Sequence, residues 1–311
     1  MKDIKTIMVI GTGVIGASWT ALFLAQGYQV IAYDIEASAE YKLKEYIVDA
    51  WPILVKIHGI DGEAPLDKLQ FTTSLEKSVG LADLVQENGP ENLAFKQKLY
   101  HQLDQMLDED VIIISSSSGL KMSDIQIACE RFPQRCVVGH PFNPPHLIPL
   151  VEIVGGKLTS DETVNAVSNF YRSLGKETVT LCREIAGHVA NRLQSALWRE
   201  IIYLVSENVI TLNDADKAVT WGPGLRWGVM GPSLLFHLGG GNKGMQGYLD
   251  KFADSHVAWW NTLGQPKLDD NVKNMLITQM DSEVAGHTQA ELEARRDTLL
   301  SSLIALKKER Q

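Results

Sequence analysis

The 311-residue chain has no basic tract: 29 lysines and arginines stand against 38 aspartates and glutamates, a formal net charge of −9 at pH 7. The two signs are interspersed, so no positive field is offered to a phosphate backbone, and nucleic acid is not an expected partner. Cysteine is scarce. Cys129, Cys136 and Cys182 are odd in number and lack metal-ligand spacing. They exclude a disulfide framework and read as reduced thiols of a cytoplasmic protein, with no metal expected. No apolar run approaches the roughly 18 residues needed to span a bilayer. The N-terminus enters a short strand without the pattern of a secretory leader, so no membrane partner is expected either. Internal repeats and low-complexity linkers are also missing. What is abundant is apolar material: 45% of residues are hydrophobic, enough for one large α/β domain or two of ordinary size.

Strand and helix patterns alternate in the first part. "TIMVIG" reads as a strand, "VIGASWTALFLAQG" as a helix ended by Gly27, and "YQVIAYD" as a second strand. Further strand-like runs are "ADLVQEN", "DVIIISSSS", "RCVVGH", "LVEIV" and "ETVTL", with helical stretches such as 91–107 between them. Continuous apolar strands separated by helices predict a mainly parallel sheet buried on both faces. From about Ile185 the strand signals stop and apolar residues recur at helical spacing, as in "IAGHVANRLQSALWREIIYLVSENV". The expected architecture is a doubly wound α/β domain over 1–184 and an all-helical domain over 185–311. Glycine-rich "HLGGGNKGMQG" is expected to be a loop, since Gly239 to Gly241 do not favour a helix.

"GTGVIG" places Gly11, Gly13 and Gly16 in the G-x-G-x-x-G pattern, with Thr12, Val14 and Ile15 between them. Alone the motif is weak, and a structural glycine turn would explain it. Its context adds a preceding strand, a following helix and Asp34 at the end of the next strand. Gly11 then allows the tight turn, Gly13 the close approach of a pyrophosphate, and Gly16 the packing of helix on sheet. Free N–H groups and the positive helix end face the phosphates. Asp34 can accept hydrogen bonds from ribose hydroxyls and repels a 2′-phosphate, so NAD is expected over NADP.

In "VVGHPFNPPHLIPLVEIV" a histidine, His140, ends an apolar run, prolines follow, and Glu152 lies within the next apolar run. Oxidation of an alcohol needs a base for the hydroxyl proton while hydride leaves carbon, and imidazole suits that task. A carboxylate on the other ring nitrogen would fix the tautomer and stabilise the imidazolium. Periodicity leaves open an alternative in which His140 bonds to backbone and Glu152 points to solvent. His146 and His188 are competing histidines.

The chain resembles the 3-hydroxyacyl-CoA dehydrogenase family through "GTGVIG", "SSSSGL" at 115–120, "GHPFNPPHLIPLVEIV" and "GHVANRL" at 187–193. The resemblance implies a Rossmann domain followed by a helical, dimerising domain. It also implies that Ser118, His140, Glu152 and Asn191 form the active site, with Glu91 and Lys96 near the cofactor. The histidine would be the base, the glutamate its orienter, and the serine and asparagine the binders of the reacting oxygen. Four successive serines leave the choice between Ser117 and Ser118 open. His188 stands where the family usually carries an aromatic residue.

Through "GHVANRLQSALWREIIYLVSENVIT" and "WGPGLRWGVMGPSLLFHLGGG" the second half resembles those relatives of the family that act on small hydroxy acids without CoA, and the resemblance implies a substrate of that class. Arg226 is a planar, permanently charged fork for a carboxylate. Trp221 and Trp227 flank it, and a quaternary ammonium prefers the faces of such rings. Together these features suit a zwitterion such as L-carnitine, although tryptophans at helix ends also serve as core or interface anchors. An acyl-CoA reading would draw on Lys42, Lys44, Lys56 and Lys68, which are mixed with acids. L-Gulonate is a further candidate substrate. A non-enzymatic, crystallin-like NAD-binding protein would not require all four of the active-site residues.

Overall fold

The computed structural model describes residues 3–308. Among them, eight strands form one sheet: β1 (Thr6–Ile10), β2 (Gln29–Tyr33), β3 (Leu69–Thr72), β4 (Leu84–Glu87), β5 (Ile112–Ser115), β6 (Cys136–Pro141), β7 (Leu150–Gly155) and β8 (Glu177–Thr180). Their spatial order is β3-β2-β1-β4-β5-β6-β7-β8. The β6–β7 pair is antiparallel and the other neighbouring pairs are parallel. The chain winds outward from β1 in one direction and returns to β4 on its other side. Loops leaving the carboxyl ends of these two strands therefore diverge and open the crevice where a Rossmann-type sheet takes its ligand.

Helices cover both faces of the sheet. Alternate strand residues point to opposite sides: Ile7 and Val9 enter a core with Trp19, Leu22 and Phe23, whereas Met8 and Ile10 enter another with Leu99 and Leu103. The first helix (Val14–Ala25) is buried from Gly16 to Ala25, as a helix without a polar face must be. Its two buried hydroxyls find partners: Thr20 donates to the Gly16 carbonyl, and Ser18 bonds with His146. Trp19 stacks on Phe23 at 5.5 Å and lies 5.2 Å from the Tyr171 ring. Such ring pairs add about 0.5–1.5 kcal/mol each beyond their burial.

Two local expectations change. Strand β3, "LQFT", was not anticipated, because an edge strand of four residues shows no clear alternation or buried run. The expected loop at Gly239–Gly241 is mostly helical: one helix runs Pro232–Gly239, a single turn Gly241–Lys243, and the next helix Gly244–Trp260. Glycine works there by small size. A Cβ at Gly240 would run into the Gly244 carbonyl, so two helix ends approach more closely than side chains would allow.

By its contacts the chain divides into two compact units, residues 1–191 and 192–311. Residues 188–191 hydrogen-bond to Glu152, Ser117 and Ser118, which ties the start of the helix Ala190–Ser206 to the first unit. Beyond the division the described residues contain helices and no strand, among them Leu212–Trp221, Pro223–Trp227, Asp270–Glu283 and Gln289–Lys308. None of the described helices is long and apolar enough to cross a membrane.

Beneath the crevice lies an ion pair that is 1% or less exposed, Lys96 Nζ to the Glu87 carboxylate at 2.7 and 2.9 Å. Removing one member of such a pair leaves an uncompensated buried charge, a loss of about 3–5 kcal/mol. Lys96→Met is therefore expected to lower unfolding stability by about that amount, measured by urea denaturation; a loss within ~0.5 kcal/mol, typical of a surface change, would count against it.

Candidate active site

The glycine loop follows β1 and opens the first helix. Gly11 has φ +81°, in the left-handed region, and a Cβ there would meet the Asn88 carbonyl oxygen at 2.8 Å. A Cβ at Gly16 would run into the Gly11 carbonyl, so helix and loop could not close together. Around Gly13, by contrast, the space is open. Gly13, Val14 and Ile15 lie at the N-terminal end of the helix, whose first N–H groups have no intrahelical acceptors. Open space above free N–H groups fits a pyrophosphate.

Thr12 turns the other way. Its N–H and hydroxyl both donate to Asp34 Oδ2, at 2.9 and 2.8 Å. Burial opposes the charge of Asp34, but these bonds and the backbone N–H groups of Glu36 and Ile35 outweigh it. The carboxyl is held below the ordinary aspartate range. Thr12 thus secures Asp34, half-buried at the end of β2, as a fixed anion beside the glycine loop.

The serine run is resolved residue by residue. Ser115 donates to Glu87 at 2.7 Å, and Ser116 donates to Asn88 at 2.7 Å while accepting from Trp19 and Gln86. Ser117 is buried and donates to Glu91 at 2.7 Å. Ser118 is exposed, and its carbonyl accepts from Asn191 Nδ2 at 3.3 Å. Only Ser118 of the pair left open by the sequence presents its side chain outward.

Glu91 also accepts from the N–H groups of Gly119 and Leu120, at 2.9 and 3.2 Å. Burial raises its pKa, yet Ser117, these N–H groups and the nearby Lys96 charge together bring it below the usual glutamate value. Lys96 directs two donor contacts to Glu87 and one to the Gly89 carbonyl at 3.3 Å. It therefore braces the loop bearing Glu91 from beneath rather than facing the surface. Glu87 was not anticipated as part of this framework. Its one sequence signal is an acid at a strand end, and nothing local announces a lysine nine residues on as its partner.

His140 and Glu152 are directly opposite in the antiparallel β6–β7 register. His140 Nδ1 lies 2.9 Å from Glu152 Oε2, with both side chains buried. A carboxylate only accepts, so Nδ1 carries the hydrogen and Nε2 keeps a lone pair. The other carboxylate oxygen, Oε1, accepts from Val189 and Ala190 N–H at 2.9 and 3.0 Å, at the start of the helix Ala190–Ser206. Burial raises the Glu152 pKa, while His140 and these two N–H groups reverse the effect and lower it overall. The arrangement is an imidazole held in one tautomer beside a carboxylate whose ionised form is favoured, a pairing with the geometry that general-base chemistry requires.

The competing histidines have other partners. His146 bonds with Ser18. His188 is buried, and its Nε2 lies 3.1 Å from the Ser117 carbonyl.

In the second unit, Arg226 and Trp227 belong to the helix Pro223–Trp227, and Trp221 ends the helix before it. All three are exposed, Trp221 at 77%.

Comparison with known proteins agrees with this geometry. The profile of the 3-hydroxyacyl-CoA dehydrogenase NAD binding domain matches residues 6–185, and that of the family's C-terminal domain matches residues 187–269. The chain is 43% identical over 305 residues to an L-carnitine dehydrogenase of Bacillus cereus, covering 98% of this chain and 93% of that one. It is 43% identical over 296 residues to an L-carnitine dehydrogenase of Streptomyces coelicolor, covering 95% and 92%. Among solved structures it resembles 5-formyl-3-hydroxy-2-methylpyridine 4-carboxylic acid 5-dehydrogenase, an NAD+-dependent dismutase. That match has a TM-score of 0.81 and 28% identity and covers 98% of both chains.

The enzyme uses NAD, and its preference over NADP tests the reading of Asp34. Asp34→Ala removes both the ribose acceptor and the repulsion of a 2′-phosphate. The ratio of kcat/KM with NAD to that with NADP should fall by about tenfold or more, the worth of one charge-assisted hydrogen bond. An unchanged ratio would assign cofactor choice to other residues.

Proposed function

The chain belongs to the 3-hydroxyacyl-CoA dehydrogenase family, and from that premise we propose that it oxidises the 3-hydroxyl of L-carnitine to 3-dehydrocarnitine. The observation carrying the substrate is near-full-length similarity, at about two-fifths identity, to proteins named L-carnitine dehydrogenase. The chemistry rests on the His140–Glu152 pair. Bound NAD supplies the hydride acceptor.

His140 Nε2 takes the hydroxyl proton as the C3 hydrogen departs as hydride. Glu152 holds the ring in the tautomer that leaves Nε2 free and stabilises the positive charge arriving on it. Ser118 and Asn191 bind the reacting oxygen as it becomes a carbonyl, and Asn191 also ties its helix to the Ser118 carbonyl. Glu91 keeps the serine loop in shape through Ser117, Gly119 and Leu120.

The residues up to 184 serve cofactor binding, and those from 185 onward serve substrate binding and dimerisation. Arg226 grips the carboxylate; among the described residues no acid pairs with its guanidinium. Trp221 and Trp227 offer π-faces to the trimethylammonium, a contact worth about 2 kcal/mol or more when dry. Trp259 and Trp260 are each more than 60% exposed in the single chain. Large apolar side chains left in water support a second copy as their cover, and a two-fold homodimer is the commonest arrangement. Light scattering at micromolar concentration should give twice the chain mass of 34.4 kDa; a monomer would exclude that cover.

The substrate test compares L-carnitine, D-carnitine, L-3-hydroxybutyrate, L-gulonate and 3-hydroxybutyryl-CoA at equal concentration with NAD. L-Carnitine should give the highest kcat/KM, and Arg226→Lys should raise its KM because charge remains but the planar fork is lost. Faster turnover of L-gulonate or the acyl-CoA would overturn the substrate assignment. His140→Ala should lower turnover by about 10²–10⁴-fold with little change in NAD affinity. Glu152→Gln should lower it in the same direction, less than additively with His140→Ala. Near-normal turnover of His140→Ala would remove His140 as the base.

A further inference from the structure

His188 is a buried polar side chain with one unanswered nitrogen. It is 2% exposed, and its Nδ1 has no hydrogen-bond partner among the described residues. Its Nε2 lies 3.1 Å from the Ser117 carbonyl. A carbonyl only accepts, so Nε2 carries the hydrogen and the lone pair is on Nδ1. The ring lies against His140, with centroids 5.1 Å apart and planes at 43°. The backbone adds an independent observation. His188 has φ +49°, in the left-handed region that a non-glycine residue rarely occupies. A glycine or asparagine would adopt it at less strain, and strain retained beside reacting groups points to a use for the side chain.

We propose that His188 is a positioning residue, whose Nε2–H clasps the Ser117 carbonyl and so sets Ser118, and whose ring backs the imidazole of His140. The proposal rests on the assignment of His140 as the base and of Ser118 as an oxygen-binding group. Ser117 is held twice, by its hydroxyl on Glu91 and by its carbonyl on His188. The next residue in the chain is Ser118, so these two anchors fix its place. Two residues beyond His188, Ala190 N–H binds Glu152. One short segment, 188–190, therefore reaches the serine loop and the partner of the base together.

The charged or titratable groups facing His188 are His140 on β6, Glu152 on β7 and Glu91 in the loop after β4. Burial, ahead of the other influences, disfavours protonation, and a charged His140 would disfavour it further; the Ser117 carbonyl and the two carboxylates oppose this without reversing it. An uncharged His188 leaves the arriving proton to His140. Were His188 to become charged first, the adjacent positive ring would make His140 a weaker base.

The test uses full-length protein labelled with 15N-histidine, and it needs no substrate. Ring signals assigned by comparison with His188→Gln should show a neutral Nε2–H tautomer for His188 throughout the pH range in which the enzyme is active. A protonated ring at neutral pH, or an Nδ1–H tautomer, would overturn the proposal. Kinetics supply the second reading. His188→Phe keeps an aromatic wall but loses the donor, and should lower kcat with L-carnitine about tenfold without altering NAD affinity. His188→Gln restores an N–H near the former Nε2 and should recover kcat to within about threefold. Thermal unfolding of both variants separates lost activity from lost folding. Full activity in the folded His188→Phe enzyme, or equal losses in the two variants, would refute the clasp. If His140→Ala kept its turnover, the base assignment would fall, whereas the tautomer measurement would still decide which nitrogen of His188 carries hydrogen.

Discussion

Reversal of one strand pair governs the candidate active site. The other neighbouring strands are parallel, but β6 and β7 run opposite ways, so His140 and Glu152 face each other across the ladder. Directly opposed residues share a face of the sheet with their Cβ atoms about 4.5–5.5 Å apart. That spacing suits a histidine–carboxylate hydrogen bond, which here is 2.9 Å. A slip of one residue would set His140 opposite Val151 or Ile153 and turn the carboxylate to the other face. Val151 and Ile153 enter one core and Val154 the other, on the face that Glu152 shares. The register in turn sets the His140–Glu152 hydrogen bond.

Glu152 extends the constraint beyond the sheet. One oxygen orients His140, and the other binds the N–H groups at the start of the helix Ala190–Ser206. The positive helix end favours the carboxylate's charge. Asn191, one residue further, reaches the Ser118 carbonyl. His140 and the segment that carries Asn191 are therefore tied through a single carboxylate and one helix terminus. These bonds tie residues 188–191 to the sheet-bearing unit.

A buried polar framework underlies the crevice. Tyr171 donates to Gln86, Gln86 donates to Ser116, and Ser116 donates to Asn88, while Glu87 gathers Lys96, Ser115 and the Gly89 N–H. A partly satisfied network of this kind would be costly in a low-dielectric interior, and a satisfied one specifies a single arrangement. It fixes the ends of β4 and β5, from which Glu91 and the serine loop project. The second unit is built differently: its buried apolar cluster is small, centred on Ile201, Val205, Leu212 and Ala215, while several tryptophans face outward.

Local sequence was sufficient wherever local physics decides. Glycine spacing, the following helix and the acid ending the second strand made the dinucleotide site legible, because a tight turn and a close backbone approach need residues without a Cβ. Apolar runs separated by helical patterns made the Rossmann-type sheet legible, and the motif around His140 carried the family resemblance. The single antiparallel pair was invisible, since a buried strand has the same composition whichever way it runs. The identity of the outward serine was equally hidden: four identical side chains differ only in the groups that tertiary folding brings to them. Three are taken by Glu87, Asn88 and Glu91, which leaves Ser118 exposed. The Lys96–Glu87 pair and the contacts of His188 likewise join residues whose proximity no local pattern encodes. Sequence determined which groups could bind a dinucleotide or carry a proton; the tertiary structure decided which of them meet, because hydrogen bonds form only between atoms brought within about 3 Å.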